Sequence, residues 1–184
     1  MAVYNEGIIL NNLRSGDPIV QRKAFAEVVN HYSEKLYWQI RKMVLSHEDT
    51  NDLLQNTFIK AWVNIELFRG ESKLSTWLHK IAINESLTFL NKQQAHIHVS
   101  MDDSEAYLTN KLETDEYFDG DEAQMKLQKA ILTLPEKQRV VFNMRYFDDL
   151  SYEDMSKILD TSTGALKASY HHAVKKVEFF LKDT

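Results

Sequence analysis

Cysteine is absent from this chain of 184 residues. That excludes a disulfide framework, a thiol nucleophile and a thiolate zinc site. Proline (2) and glycine (5) are scarce. With few turn formers and many helix formers, an all-α fold is expected. No glycine-rich phosphate loop and no serine-elbow motif is present. No apolar run is long enough to span a bilayer, and the N-terminus lacks a basic-then-apolar signal pattern. The expectation is a soluble cytoplasmic protein.

The chain carries a net charge of −5, an unpromising balance for a nucleic-acid partner until it is divided. From His96 to Glu122 stand nine carboxylates (Asp102, Asp103, Glu105, Glu113, Asp115, Glu116, Asp119, Asp121 and Glu122) against Lys111 alone. That stretch is −8, and −5 less −8 leaves +3 for the rest. Two mildly basic parts therefore flank an acidic middle, which lacks sustained periodicity and reads as a solvated spacer. The division is an N-terminal segment 1–17, a helical domain 18–95, an acidic flexible linker 96–120 and a second helical domain 121–184.

In the first domain, Asp17-Pro18 is a helix start: a capping side chain, then proline at the first helical position. Val20, Ala24, Val28, Tyr32, Leu36, Ile40 and Val44 follow at helical spacing. Ser46, with Asp49 three residues on, starts the next helix. It carries Leu53, Leu54, Thr57, Phe58, Ala61, Trp62 and Ile65. The chain breaks at Phe68-Arg69-Gly70-Glu71-Ser72. A further helix runs from about Leu74 to Lys92, with Leu74, Leu78, Ile81 and Phe89 as its buried positions. In the second domain a helix from Met125 to Leu134 precedes one begun by Pro135, with Val141, Phe142, Met144 and Phe147 inward.

The chain ends in a helix-turn-helix pattern. Ser151 caps a short helix with Tyr152, Met155, Ile158 and Leu159. A polar break at Asp160-Thr161-Ser162 leads to a longer helix with Leu166, Tyr170, Ala173, Val177, Phe180 and Leu181 on one seam. Between them stand Lys167, His171, Lys175 and, at the margin, His172. A helix that buries one side and shows cations on the other suits the DNA major groove. Histidines at 96, 98, 171 and 172 lack a third ligand at fixed spacing on a rigid element, so no metal site is expected. No catalytic constellation, cofactor or small-molecule substrate is indicated. The rivals to a DNA-binding role within a larger machine are a stand-alone dimeric regulator and an interaction module without DNA.

Three strings in the first domain carry a resemblance: Asp52-Leu53-Leu54-Gln55-Asn56-Thr57-Phe58, Phe68 to Leu78, and Ile81-Ala82-Ile83-Asn84. They resemble region 2 of the extracytoplasmic-function sigma factors, small members of the sigma-70 family. Leu134-Pro135-Glu136-Lys137-Gln138-Arg139 and the helix-turn-helix resemble region 4 of that family. The run from Gly164 to Ala173 is similar to a version common among Bacteroidetes members. The resemblance implies docking on a coiled coil of the largest subunit of RNA polymerase core through Asp52, Gln55, Asn56 and Phe58. It implies that the Phe68 loop captures a base flipped from the −10 element. An apolar wall, small residues and polar edges serve that purpose, from Phe68, Gly70, Ser72 and Asn84. Arg69, Lys73 and Lys80 are placed to hold phosphates, and Trp77 to support the site beside the melted strand. On the last helix the resemblance assigns −35 readout to Lys167, Ala168, His171, His172 and Lys175. It implies an anti-sigma partner, often membrane-bound in the family. The chain departs from the family pattern at Thr88, Asn91, Asp160, Ser169 and His172; glycine is common at position 160, and arginine at positions 169 and 172.

Overall fold

The computed structural model describes residues 4–97, 109–112 and 121–183. The helices are α1 (Glu6–Leu13), α2 (Pro18–Val44), α3 (His47–Val63), a 3-10 turn at Ile65–Leu67 and α4 (Leu74–Ile97). After the linker come α5 (Glu122–Leu132), α6 (Glu136–Tyr146), α7 (Tyr152–Leu159) and α8 (Thr163–Asp183). No strand occurs among the described residues, in keeping with the all-α expectation.

The caps explain most boundaries. Asp17 accepts from Ile19 N at 2.8 Å, ahead of Pro18. Ser46 Oγ accepts from Asp49 N at 3.2 Å, and Ser151 Oγ from Asp154 N at 3.1 Å. Each such cap stabilises its helix by about 1 kcal/mol. Asp121 Oδ1 accepts from Gln124 N at 2.8 Å, which starts α5 three residues before the first apolar position used to place it. Leu45 ends α2 in the left-handed region, with φ 57°. Residues 93–97 carry α4 about one turn past the end that the sequence pattern indicates.

Helices α1 to α4 pack around Ala24, Val28, Leu36, Ile40, Leu53, Ala61, Leu74 and Leu78, all buried. On α4 the fully buried face continues through Ala82, Ile83 and Leu90, whereas Ile81 and Phe89 are only partly buried. The core continues into the second group of helices through Val140, Val141, Met144, Met155, Ile158 and Leu166. A separate cluster ties α5, α6 and α8 through Ile131, Phe142, Ala173 and Val177.

The two groups meet where α4 packs on α7 and α2 on α6. Within the acidic stretch, residues 109–112 form a helical turn. Leu112 is buried against Leu45 and Leu132, and Lys111 Nζ lies 3.1 Å from Asp49 Oδ2. The one cation of that stretch thus fastens it to α3. The rest of it, and the side chains of His96 and His98, lie outside the described residues.

Candidate nucleic-acid and polymerase interface

Three surfaces gather the candidate residues. The first is a groove of about 670 Å³ between α2 and α3. Its floor is Phe25, Val29, Leu54 and Phe58, and its polar edge includes Ser33, Asn51, Asp52 and Gln55. Asp52 and Gln55 are exposed; Phe58 is 8% exposed and joins the core while facing the groove. Asn56 is exposed on the same helix but does not line the groove. Ile59, 53% exposed, and Trp62 complete the wall, with Trp62 tilted against Phe25 at 5.0 Å between ring centroids. The helical spacing puts Trp62 on the apolar stripe and leaves Ile59 off it. The available signal is an apolar residue between Phe58 and Lys60 that falls outside the buried stripe. An apolar floor with a carboxylate and an amide at its rim suits a protein helix of mixed character.

The second surface is the segment joining the 3-10 turn to α4. Phe68 is 6% exposed, with its ring centroid 5.3 Å from that of half-buried Trp77. In this conformation the two rings form the base of the loop. Arg69, Gly70 and Lys73 are exposed, and Ser72 is half-buried. Gly70 has φ 78°, a left-handed conformation that strains any residue with a Cβ. Asn84 is exposed two turns below Trp77 on α4.

Lys80, the remaining candidate of this surface, is engaged by the second group of helices. Its Nζ donates to Asp160 Oδ1 and Oδ2 at 3.1 and 3.0 Å, and to the Lys157 carbonyl at 3.0 Å. Asp160 sits at the end of α7 with φ 50°. That conformation explains why glycine suits the position, and the carboxylate in its place reaches across to α4. One turn up α4, Thr76 Oγ1 donates to Asp154 Oδ1 at 3.1 Å, and Ser151 Oγ donates to Oδ2 at 2.7 Å. The Ser151 bond, joined by Thr76 and nearby Lys73 and Lys157, holds the Asp154 carboxyl below the usual carboxylate range despite partial burial.

A second polar cluster closes the other side of the interface. Asp148 accepts from Gln39 Nε2 at 3.1 Å and pairs with Lys42 at 3.0 Å. Lys42 also lies 4.6 Å from the Phe147 ring centroid. Behind them, buried His79 donates from Nδ1 to Gln39 Oε1 at 2.8 Å. Burial holds His79 below its ordinary value, with Lys35 acting in the same direction and Asp148 and Asp154 opposing. Sequence periodicity carried no sign of this network.

The third surface is the outward face of α8. Lys167, Ala168, His171, His172 and Lys175 are all exposed, one turn apart in two adjoining rows. The opposite side buries Leu166, Ala173 and Val177. Lys167 Nζ stands 5.6 Å from the Tyr152 ring centroid, which steadies the side chain at the edge of α7. Helix α7 meets α8 across a three-residue turn, and Ser162 Oγ accepts from Ala165 N at 3.3 Å. Such a helix presents donors and a methyl group at the spacing a major groove reads.

Comparison with known proteins follows the same division. Residues 28–96 match Sigma-70 region 2, and residues 124–177 match Sigma-70 region 4. The chain is 29% identical over 185 residues to the ECF RNA polymerase sigma factor SigW of Bacillus subtilis, covering 95% of each chain. It is 29% identical over 178 residues to the ECF RNA polymerase sigma-E factor of Haemophilus influenzae, covering 92% of each. Among solved structures, the sigma factor RpoE bound to the anti-sigma factor NepR of Bartonella quintana has a TM-score of 0.68 at 23% identity, over 87% of this chain and 98% of that one. CnrH, solved with the cytosolic domain of CnrY, has a TM-score of 0.70 at 17% identity over 97% of both chains. Those two likenesses show the fold. No helix among the described residues is long and apolar enough to cross a membrane.

Proposed function

This chain belongs to the extracytoplasmic-function subfamily of sigma-70 factors, and from that premise we propose how its three surfaces divide the work of starting transcription. It is an alternative sigma factor that directs RNA polymerase to promoters. Sigma factors are DNA-binding initiation factors, so the chemistry belongs to the polymerase. Region 2 spans residues 18–95, the acidic linker 96–120 and region 4 residues 121–184, with residues 1–17 preceding them. The run from Gly164 to Ala173 gives the chain its Bacteroidetes-type character. Its place of action is the cytoplasm, where the polymerase is.

The observation that carries the reading is the pair of regions, in order, with the α2–α3 groove and the cationic face of α8 both open to solvent. The groove takes the coiled coil of the largest polymerase subunit. Asp52 and Gln55 bond at its rim, Phe58, Ile59 and Trp62 form its apolar floor and wall, and Asn56 extends the polar face. The α8 face reads the −35 element: Lys167 and Lys175 hold phosphate or guanine, Ala168 meets a thymine methyl, and His171 and His172 donate or accept at base edges. The Phe68 loop reads the −10 element. Phe68 and Trp77 form the wall, Gly70, Ser72 and Asn84 admit and bond the base, and Arg69, Lys73 and Lys80 hold phosphates. The linker's negative charge suits the positively lined channels of the polymerase.

Because Lys80 cannot hold Asp160 and a phosphate at once, the closed pairing of the two regions is the resting state and opens at the promoter. An anti-sigma factor that held the regions together would favour the same state. The apolar groove of about 410 Å³ between them, lined by Leu87, Val140, Val141, Leu159 and Leu166, offers it a seat. Two weak readers joined in one chain raise each other's effective concentration, so neither needs high affinity alone.

The test is run-off transcription with purified bacterial core polymerase on a fragmented library of the source genome. Discrete transcripts that require the protein, with two shared upstream boxes, are expected. Specific DNA binding by the chain alone, with no protein-dependent transcript, would favour the stand-alone regulator.

A further inference from the structure

Helix α1 lies outside the residues that match either sigma region, yet its side chains reach both ends of the Phe68 loop. At one end Arg14 Nη2 donates to the Phe68 carbonyl at 3.1 Å. At the other, Glu6 Oε1 accepts from Leu74 N at 2.9 Å. Leu74 N–H opens α4, where no preceding carbonyl of the helix can accept it. The Glu6 carboxylate serves as the helix cap from 68 residues away in sequence, and its charge suits that end of the helix dipole. Between the two anchors, Arg14 Nη2 lies 3.5 Å from where a Cβ on Gly70 would stand. Arg14 thus lies along the loop at the residue with positive φ.

The strap is itself fixed. Ile9 and Leu13 are buried against the core, Asn5 Oδ1 accepts from Ile8 N at 3.2 Å, and Gln21 Nε2 donates to the Leu13 carbonyl at 3.1 Å. Tyr4 stacks on His31 with ring centroids 3.8 Å apart and an interplanar angle of 4°. Among the described residues, two long-range side-chain bonds from Glu6 and the α1 cap residue Arg14 fall on the residues that flank the loop. Base capture by a short loop needs its backbone held close to the bound geometry, since a small misplacement costs selectivity.

We propose that α1 is a strap that sets the recognition loop, with Glu6 and Arg14 as positioning residues for −10 readout. This rests on the reading of the loop given above. Neither residue touches DNA in this role. Each acts through the backbone of Phe68 or Leu74.

The test has two arms on the full chain, with Glu6→Ala, Arg14→Ala and Glu6→Gln. In the first, hydrogen exchange is measured across residues 68–76. A rise of about tenfold or more is expected in both alanine variants, and a smaller one in Glu6→Gln, whose amide oxygen can still accept from Leu74. In the second, run-off transcription with core polymerase compares the cognate promoter with single-base −10 variants. The alanine variants should lose discrimination by roughly tenfold, a bidentate base contact's share of selectivity. Binding to a duplex bearing only the −35 element should change less than about twofold, because α8 is untouched. Unchanged loop exchange would overturn the strap, whatever the transcription result. Raised exchange with unchanged −10 discrimination would overturn its role in readout. If the wild-type chain supported no transcript while loop exchange rose as expected, the sigma reading would fail and the strap would stand as a structural feature alone.

Discussion

The two proposed DNA surfaces differ in how the fold holds them. On α8, Lys167, Ala168, His171, His172 and Lys175 face solvent, with Lys167 near the Tyr152 ring and the His171 and His172 rings 6.1 Å apart. On α4 and the loop before it, Phe68 is buried, Thr76 is bonded to Asp154 and Lys80 is held by Asp160 and the Lys157 carbonyl. The groups that hold Thr76 and Lys80 belong to α7, half of the helix-turn-helix that carries the exposed reader. One domain therefore shows its own proposed DNA face while its α7 end holds Lys80, a proposed phosphate contact of the other. Two reading surfaces on one chain need not be available together, and their coupling is set by a few polar contacts over an apolar seam.

The largest expected effect separates adjacent residues of α8. Leu166→Ala removes a fully buried side chain from the core shared by both domains. It should cost about 2–5 kcal/mol of stability, read as a lower denaturant midpoint. Lys167→Ala, one residue on and exposed, should stay within about 0.5 kcal/mol of wild type yet weaken binding to the −35 duplex and reduce its salt dependence by about one charge. Equal stability losses for the two would end the distinction between seam and face.

Next comes the interface itself. Asp148→Ala leaves Lys42 and buried Gln39 without their acceptor, a loss of about 1–3 kcal/mol. The expected outcome is a larger radius of gyration in small-angle scattering with helical content retained. A smaller, graded effect follows from His79. Its value is lowered in the folded chain, so the folded state favours the neutral ring and the opened state takes up a proton first. The stability it lends is whole above its ordinary value, about pH 6.5, and is lost as pH falls below that. The chain should expand on acidification below about pH 6.5, and His79→Gln should flatten that part of the profile. Asp154 adds nothing in this window: its lowered carboxyl keeps its charge until pH falls below the ordinary carboxylate range, about pH 4. The smallest effect belongs to Asp160→Asn, which tolerates the left-handed turn and releases Lys80. An exposed ion pair contributes under about 1 kcal/mol, so stability should barely move, while affinity for a melted −10 strand rises modestly in filter binding at low salt.

The sequence made the helices legible because their signals are local. Asp17, Ser46 and Ser151 cap where their types and positions indicate, and the seam of α8 faces inward at the spacing that its apolar residues show, with Leu166, Ala173 and Val177 buried and Tyr170, Phe180 and Leu181 partly so. The candidate faces on α3 and α8 are exposed for the same reason, since polar residues at three- and four-residue intervals share a side. What the sequence hid is tertiary. Nothing about Asp160 in the turn, or Asp148 after α6, announces a partner on α4 or α2, because those pairs lie 80 and 109 residues apart. Helix α1 is not legible in the sequence: eight residues ending at Leu13 carry too short a period to stand out, and the bonds of Glu6 and Arg14 fall 68 and 54 residues away. Phe68, expected as an apolar wall for a base, packs on Trp77 in this conformation, a tertiary contact that its loop position does not announce.

The absence of native cysteine makes the most direct measurement clean. Lys42→Cys and Asp148→Cys, on opposite sides of the interface and outside both proposed DNA faces, can be joined by a short reducible dithiol-reactive linker. Run-off transcription with core polymerase is then measured on one preparation before and after reduction. Little or no promoter-specific transcript from the joined form, recovered when the linker is cleaved, is the predicted result. Equal transcription from joined and released protein would contradict the claim that the two regions must part for the promoter to be read.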